Sequence, residues 1–262
     1  PNPVVGAVVV RGRRVIGEGY HHQAGLPHAE IEALRKTQHP VRRSTVYVNL
    51  EPCSHHGRTP PCVDVLIEAG VKRVVVGMTD PNPRVRGRGI RRLRRAGISV
   101  TTGVLKETCK RINEDFAVCI QTGKPFVTLK LAASLDGRIA AASGDARWIS
   151  GVASRRVVHE LRNYVDAIIV GAETVKADDP LLTCRIRGGR DPLRVILDGR
   201  LSISPAAQVC TQQSKAATLI ATTQRAARLR GVAFKKNGVE VASFPGRRGR
   251  ISLSCVLESL AT

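Results

Sequence analysis

The feature that most restricts this chain is a set of metal-binding side chains that each follow a proline. Proline directly precedes His28, Cys53 and Cys62, and the residues after His28 and around Cys62 have the pattern of helix starts. Proline fixes the entry into a helix, and a cysteine in a first helical turn is favoured as its thiolate. One imidazole and two thiolates suit a catalytic zinc site, in which three protein ligands leave the fourth position to water. We therefore predict that these three residues bind zinc.

Glu30 lies two residues after His28 and is the candidate proton carrier. It is placed on the same turn of the predicted helix, close to the metal, where it is free to handle protons instead of binding zinc. A carboxylate there can take a proton from water and pass it to a departing amine. The competing interpretation is a structural zinc site closed by four ligands, with His55 or His56 as the fourth, although the short loop between the cysteines makes that ligation awkward.

Short apolar runs alternate with helical patterns along the first half of the chain. Apolar runs at residues 4–10 and 15–19, with a charged turn containing Gly12 between them, predict a hairpin. A helix is predicted at residues 106–120, with a core stripe of Cys109, Ile112, Phe116 and Cys119. The alternation is typical of a layered α/β sheet. The other predicted elements are helices at 29–36, 63–69 and 90–96 and strands at 45–50, 72–76 and 98–101.

The pattern restarts after a polar segment with Gly and Pro at residues 121–125, which is the predicted domain boundary. A strand is predicted at residues 126–132, and a helix capped by Ser150 is predicted to run to about Asn163. Further strands are predicted at 167–170, 193–197, 218–222 and 239–242. The second half is therefore predicted to be α/β as well.

The charge balance raises nucleic acid as a partner, because 42 Lys and Arg residues outnumber 21 Asp and Glu residues and give a net charge of +21. The arginines are scattered, however, and aromatic residues for base stacking make up only 3% of the chain. We therefore expect an anionic small substrate and no nucleic acid.

The apolar runs and the cysteines indicate where in the cell the protein is expected. No apolar run has the length of a membrane span, and seven cysteines without a disulfide framework are expected to be reduced thiols. A cytoplasmic protein without a membrane partner is expected. The chain begins at Pro1, almost directly on an apolar run, and is expected to be a fragment.

The zinc-site pattern carries a resemblance to a known family. His-X-Glu followed by Pro-Cys and a second Cys is the signature of the cytidine-deaminase-like fold, and eight residues separate the cysteines here. That insert, with the motifs at 1–6, 80–83 and 87–89, resembles the deaminase half of the bifunctional deaminase-reductases of riboflavin biosynthesis. The motifs at 128–130, 133–138, 144–145, 148–150 and 174–180 resemble the reductase half, which is similar in fold to dihydrofolate reductase.

The resemblance implies an α/β protein with two domains. A cytidine-deaminase-like three-layer α/β/α domain would occupy residues 1–122, and an incomplete dihydrofolate-reductase-like α/β domain would occupy residues 125–262. It implies a small phosphorylated pyrimidine as substrate, first deaminated with Zn²⁺ and then reduced at its ribose with NADPH. Whether the chain forms a homo-oligomer is left open.

Individual roles follow from the same resemblance. His28, Cys53 and Cys62 would bind zinc, and Glu30 would transfer protons. The residues implied to contact the substrate are Asn2, Ser54, His55 and Asn82 in the first half and Lys130, Arg162, Leu182 and Arg185 in the second. The residues implied to contact NADPH are Ala132, Trp148, Thr174 and Asp178. Asn2 and Asn82 each precede a proline, so a purely structural role in a turn is the alternative for both.

Two other functions compete with this hypothesis. A deaminase of the same fold that acts on nucleosides or tRNA would suit the positive charge, and a zinc-stabilised nucleic-acid-binding module without catalysis would leave Glu30 as an ordinary helix residue. The family also has a Gly-rich segment against the cofactor after its last helix, and none occurs before Thr262. We therefore expect an incomplete cofactor site and weak reductase activity.

Overall fold

The computed structural model describes residues 2–57 and 59–261. The chain divides into two compact units, Pro1–Val127 and Thr128–Leu260. Each unit contains one main β-sheet with helices, as the α/β prediction required. Among the described residues, no helix has both the length and the apolar character needed to cross a membrane.

A five-stranded mixed sheet forms the centre of the first unit, in the order β2-β1-β3-β4-β5. The predicted hairpin is confirmed: β1 and β2 are antiparallel and joined by a two-residue turn, in which Gly12 has a φ of 64°. Such tight turns need positive φ, which glycine adopts without steric cost. The elements are β1 (Gly6–Arg11), β2 (Arg14–Tyr20), α1 (Ala29–Arg35), β3 (Thr45–Leu50), α2 (Cys62–Glu68), β4 (Arg73–Met78), α3 (Arg88–Arg95), β5 (Ser99–Thr102), α4 (Lys106–Ile112) and α5 (Glu114–Thr122).

Helices cover both faces of this sheet. The strand β4 lies between two parallel neighbours and is buried from Val74 to Met78, as expected of a strand covered on both sides. One face packs on α1, α2 and α3 through residues such as Ala33, Leu66 and Leu93. On the other face Gly77 leaves room for α4, because an added Cβ would lie 2.3 Å from the Cys109 sulfur. The three-layer prediction is therefore confirmed.

The second unit contains a four-stranded parallel sheet in the order β6-β7-β8-β9, and apolar clusters cover it on both faces. Parallel strands that are adjacent in sequence need crossovers, which the intervening segments with α7 to α10 provide. The elements are α6 (Val152–Tyr164), β6 (Ala167–Gly171), α7 (Ala172–Asp178), β7 (Leu193–Leu197), α8 (Gln208–Thr211), β8 (Thr218–Thr222), α9 (Gln224–Arg230), α10 (Val232–Lys235), β9 (Glu240–Ser243), β10 (Gly246–Arg247), β11 (Arg250–Ile251) and α11 (Leu253–Leu260).

Three local predictions were wrong. The predicted strand at 126–132 lies in a region, residues 123–151, without helix or strand; it pairs with no described strand, and Leu129 and Leu131 are exposed. The predicted helix at 106–120 is broken at Asn113, and Ile112 is exposed instead of belonging to the core. Ser150 does not cap α6, which begins after Gly151 without a side-chain cap.

Candidate functional site

The three predicted zinc ligands converge on one point of the first unit. His28 is the N-cap of α1, Cys53 lies in the loop after β3, and Cys62 is the first residue of α2. The His28 Nδ1 atom lies 3.1 Å from the Cys62 sulfur and 3.5 Å from the Cys53 sulfur. All three ligand atoms lie within 4.8 Å of one another.

This geometry fits zinc. Tetrahedral ligation with a Zn–N bond of about 2.0 Å and a Zn–S bond of about 2.3 Å separates nitrogen from sulfur by about 3.5 Å. The observed separations are close to that value, and a borderline-soft cation is the one that imidazole and thiolate prefer. Among the described residues, neither His55 nor His56 joins the group, so the arrangement is that of a site with three protein ligands.

The pKa values of the two thiols are shifted in opposite directions. A hydrogen bond from the Cys62 thiol, followed by those from His28 and from the Cys62 backbone N–H, lowers the pKa of Cys53 to about 4. The same contact raises the pKa of Cys62, and burial adds to that increase. The hydrogen bond to Cys53 raises the pKa of His28. These contacts favour the thiolate form of Cys53, which is the form in which cysteine binds metals.

Glu30 lies beside the ligands and is almost fully buried, with 3% of its surface exposed. Burial raises the pKa of its carboxyl group, whereas a hydrogen bond from its own backbone N–H and the charge of the neighbouring His28 oppose the increase. A carboxylate that binds a proton more readily than usual, next to a metal site, is suited to carry protons during a reaction. The structure thus brings all four residues of the predicted catalytic centre together.

The other predicted substrate residues of this unit lie on three segments. Ser54 and His55 directly follow Cys53, and the charge of His55 opposes the pKa increase of Asp80. Asn82 follows β4, and its backbone N–H donates to the Asp80 carboxylate at 2.8 Å. Asn2 is exposed on the segment before β1.

Several residues that surround the site were not predicted. The Thr59 hydroxyl lies 3.3 Å from His28 Nε2, and the His21 ring meets the His28 ring edge-on with centroids 5.1 Å apart. Asn49 and Asn113 hold the segment before β1 through hydrogen bonds to the backbone of Val4 and Gly6. His21 and Thr59 lie close to the motif in sequence, but no pattern marked them; the two asparagines act through contacts distant in sequence.

Asp80 gives this site a pH dependence that can be tested. Burial raises the pKa of its carboxyl group to about 6, and the nearby Glu51 carboxylate adds to the increase. Because the pKa in the folded state exceeds that of the unfolded chain, the stability that Asp80 contributes is complete below pH 4 and is lost as the pH rises through 6. We expect Asp80→Asn to be more stable than the wild type at pH 7.5 by about 1–2 kcal/mol.

Chemical denaturation of both proteins with a chelator present, from pH 4 to pH 8, tests this expectation. The asparagine keeps the oxygen that accepts the Asn82 N–H, so only the titration is removed. The difference in the free energy of unfolding should vanish near pH 4. A difference that stays constant over this range would contradict the assignment.

The predicted residues of the second unit include two arginines in one polar region. Arg162 on α6 donates from Nη1 to the Thr183 carbonyl at 3.0 Å, while its buried Nε has no partner among the described residues. Burial, followed by the charge of Arg185, lowers the pKa of Arg162. Two guanidinium groups that repel each other, one with an unused donor, form a site suited to an anion. Leu182 is buried in the core and Lys130 is exposed.

Three of the four remaining predicted residues, Trp148, Thr174 and Asp178, belong to two segments that a hydrogen bond joins. Arg147 donates from Nη2 to the Asp178 carbonyl at 3.0 Å, which places the segment of Trp148 beside the end of α7. Trp148 is 71% exposed, and the Arg155 guanidinium lies 4.3 Å from the ring centroid. Thr174 and Asp178 are exposed on α7, and Ala132 is half-buried.

Comparisons with known families cover both units. Residues 1–78 match the family described as cytidine and deoxycytidylate deaminase zinc-binding region, and residues 125–262 match the RibD C-terminal domain. The riboflavin biosynthesis protein RibD of Synechocystis is 48% identical over 85% of this chain and 60% of its own length. That of Aquifex aeolicus is 44% identical over 94% of this chain and 68% of its own length. The chain thus spans less than two thirds of the first of these relatives.

Two solved structures that are similar to this chain are proteins of the same kind as these relatives. A deaminase/reductase from Thermotoga maritima, which acts on a diaminohydroxyphosphoribosylaminopyrimidine and on 5-amino-6-(5-phosphoribosylamino)uracil, superposes with a TM-score of 0.87. It is 44% identical and matches 100% of this chain and 72% of that one. RibD of Acinetobacter baumannii superposes with a TM-score of 0.85 at 39% identity, over 100% of this chain and 71% of that one.

Proposed function

Because this chain belongs to the RibD family of riboflavin biosynthesis, we propose that its first unit hydrolyses an amino group from a diaminohydroxyphosphoribosylaminopyrimidine. The observation that carries this proposal is the convergence of His28, Cys53 and Cys62 beside the buried Glu30. Water adds to the ring carbon that bears the amino group, and ammonia leaves. The product is the corresponding uracil.

Each residue of the centre has a defined task. His28, Cys53 and Cys62 would hold the metal, and zinc, when bound, would supply Lewis-acid activation of water. Glu30 accepts the proton of the attacking water and delivers it to the departing amino group. Its burial supports this task, because a raised pKa brings the carboxyl group closer to the proton affinity that both transfers require.

We assign four residues of the first unit to binding of the substrate beside the zinc site. Asn82 and His55 lie on the two loops that meet near Asp80, and we assign them, with Ser54, to the pyrimidine base and its ribose phosphate. The side-chain oxygen Oδ1 of Asn82 accepts a hydrogen bond from the Arg84 backbone N–H, so we assign the side-chain N–H₂ group to contact the ring. Asn2 belongs to the same set, on the segment held by Asn49 and Asn113.

We assign the second unit to the reduction of the ribose of 5-amino-6-(5-phosphoribosylamino)uracil. Arg162 and Arg185 would bind the phosphate, with Lys130 and Leu182 beside the ribose. Trp148, Thr174, Asp178 and Ala132 would hold NADPH, which supplies the hydride. The joined segments of Trp148 and Asp178 support this assignment. All seven cysteines are free thiols, which suits a reducing compartment such as the cytoplasm.

The test is a comparison of substrates with the purified protein. We expect release of ammonia from the diaminohydroxyphosphoribosylaminopyrimidine, and none from cytidine or tRNA. NADPH oxidation in the presence of the uracil product tests the second unit in the same samples. Deamination of cytidine or tRNA, with none of the phosphoribosyl substrate, would contradict the proposal and favour another deaminase of this fold.

A further inference from the structure

Glu51 is a buried carboxylate that neither the zinc site nor the proton transfer uses. It follows β3 and precedes Pro52 and Cys53, and only 3% of its surface is exposed. Among the described residues, no Lys, Arg or His forms an ion pair with it. Burying a carboxylate is costly unless hydrogen bonds replace its water. The partners of Glu51 therefore indicate why it is there.

Three backbone N–H groups of one segment donate to Glu51. Asp80 N and Gly87 N donate to Oε2 at 3.2 and 2.9 Å, and Ile90 N donates to Oε1 at 3.2 Å. These donors lie 29 to 39 residues further along the chain. One side chain thus holds both ends of the loop from Asp80 to the first turn of α3, and this loop contains Asn82.

Glu51 also replaces a missing helix cap. The N-cap of α3 is Gly87, whose φ of 72° and lack of a side chain leave the first N–H groups of the helix without a local acceptor. No acidic residue occurs in the first turn of α3, which begins with Arg88. The Glu51 carboxylate accepts from the N-cap N–H and from the N–H three residues later, and it lies at the positive end of the helix dipole.

The first turn of α3 is packed directly on the backbone that leads to Cys53. A Cβ atom added to Gly89 would lie 2.2 Å from the Pro52 carbonyl oxygen and 3.3 Å from Glu51 Oε1. The glycine is therefore required for this close approach. Glu51 and Gly89 together connect the loop of a zinc ligand to the loop that contains Asn82.

We propose that Glu51 is the positioning residue that sets the place of Asn82 relative to the zinc site, and thereby the affinity for the pyrimidine substrate. This inference rests on the proposed deaminase function. Glu51 does not contact the reacting atoms: it acts through the backbone of residues 80–90. Its loss therefore weakens substrate binding more than it slows proton transfer by Glu30.

The experiment compares Glu51→Gln with the wild type in the zinc-loaded full chain. Glutamine has the same shape but offers one carbonyl oxygen and an amide N–H₂ group that cannot accept, so at least one of the three donors loses its partner. We expect KM for the phosphoribosyl substrate to rise about tenfold or more while kcat stays within about threefold. Zinc content should not change. Glu68→Gln, an exposed substitution with the same change in charge, is the matched control.

Amide hydrogen exchange provides a second measurement that does not need catalysis. In Glu51→Gln at least one of the backbone amides of Asp80, Gly87 and Ile90, the one that loses its acceptor, should exchange about tenfold faster than in the wild type, and the amides of β3 should not change. Gly89→Ala, which separates α3 from Pro52, should raise KM in the same way.

The outcomes separate this inference from the proposed function. Unchanged exchange at the three amides in Glu51→Gln, or a fall in kcat with KM unchanged, would overturn the role of Glu51. Absence of deamination by the wild type itself would overturn the proposed function, and exchange at the three amides would then decide whether Glu51 holds the loop.

Discussion

The Glu30→Gln variant is expected to bind zinc as the wild type does and to release ammonia about 10²- to 10⁴-fold more slowly. Glutamine has the size of the buried glutamate but cannot accept or deliver the proton that hydrolysis requires. The three metal ligands are unchanged, so zinc content should stay stoichiometric. Steady-state rates of ammonia release together with metal analysis test this expectation.

Glu32→Gln is the matched control for this variant. Glu32 lies two residues after Glu30 on the same helix, but its half-buried side chain forms an ion pair with Arg35 instead of joining the metal group. The Glu32→Gln variant should release ammonia at the rate of the wild type. Undiminished deamination by Glu30→Gln would remove Glu30 from the mechanism and would favour a zinc-stabilised binding module.

The Cys62→Ser variant should lose both the metal and the activity. The hydroxyl of serine is a poor zinc ligand, and two remaining ligands hold the metal weakly. Because a metal that binds only the folded state stabilises it, the free energy of unfolding should fall by about 4 kcal/mol when free zinc is about 1,000 times the dissociation constant of the wild type. Metal analysis and chemical denaturation in buffered zinc test both effects.

A second cysteine provides the control for this substitution. Cys119 on α5 is half-buried and does not belong to the metal group, so Cys119→Ser should retain zinc. A chelator should lower the stability of the wild type to that of Cys62→Ser and should leave the variant unchanged. Full zinc content and activity in Cys62→Ser would contradict the ligand assignment.

The interpretation of the first unit from sequence was successful because its signals are local. Each zinc ligand directly follows a proline, and β4 contains the apolar run Val74–Val76 between Arg73 and Gly77. Such signals depend only on neighbours within a few positions. The alternation of strands and helices was therefore predicted in the first unit, apart from the break in the helix at 106–120. In the second unit four strands and α6 were predicted near their observed positions, whereas the strand at 126–132 was wrong and α7 to α11 were not predicted.

Two of the three wrong predictions, the helix at 106–120 and the strand at 126–132, have a common cause. The pattern of residues 106–120 is helical throughout, but the Asn113 side chain bonds to the backbone of Val4, 109 residues away, and the helix breaks there. Residues 126–132 have the composition of a strand, but a strand needs a neighbour for its backbone hydrogen bonds, and no described strand pairs with them. In both cases a distant partner, or its absence, overrode the local preference.

The amino-acid sequence alone determined which side chains meet at the zinc centre and what chemistry they offer, since ligand type, helix starts and the spacing of apolar residues are properties of short segments. Only the tertiary structure decided that His28 turns Nδ1 toward both sulfurs, that His55 and His56 stay outside the group, and that Glu51 holds the loop of Asn82. The contacts of His28 and of Glu51 join residues 25 to 39 positions apart, and no local pattern encodes such partners.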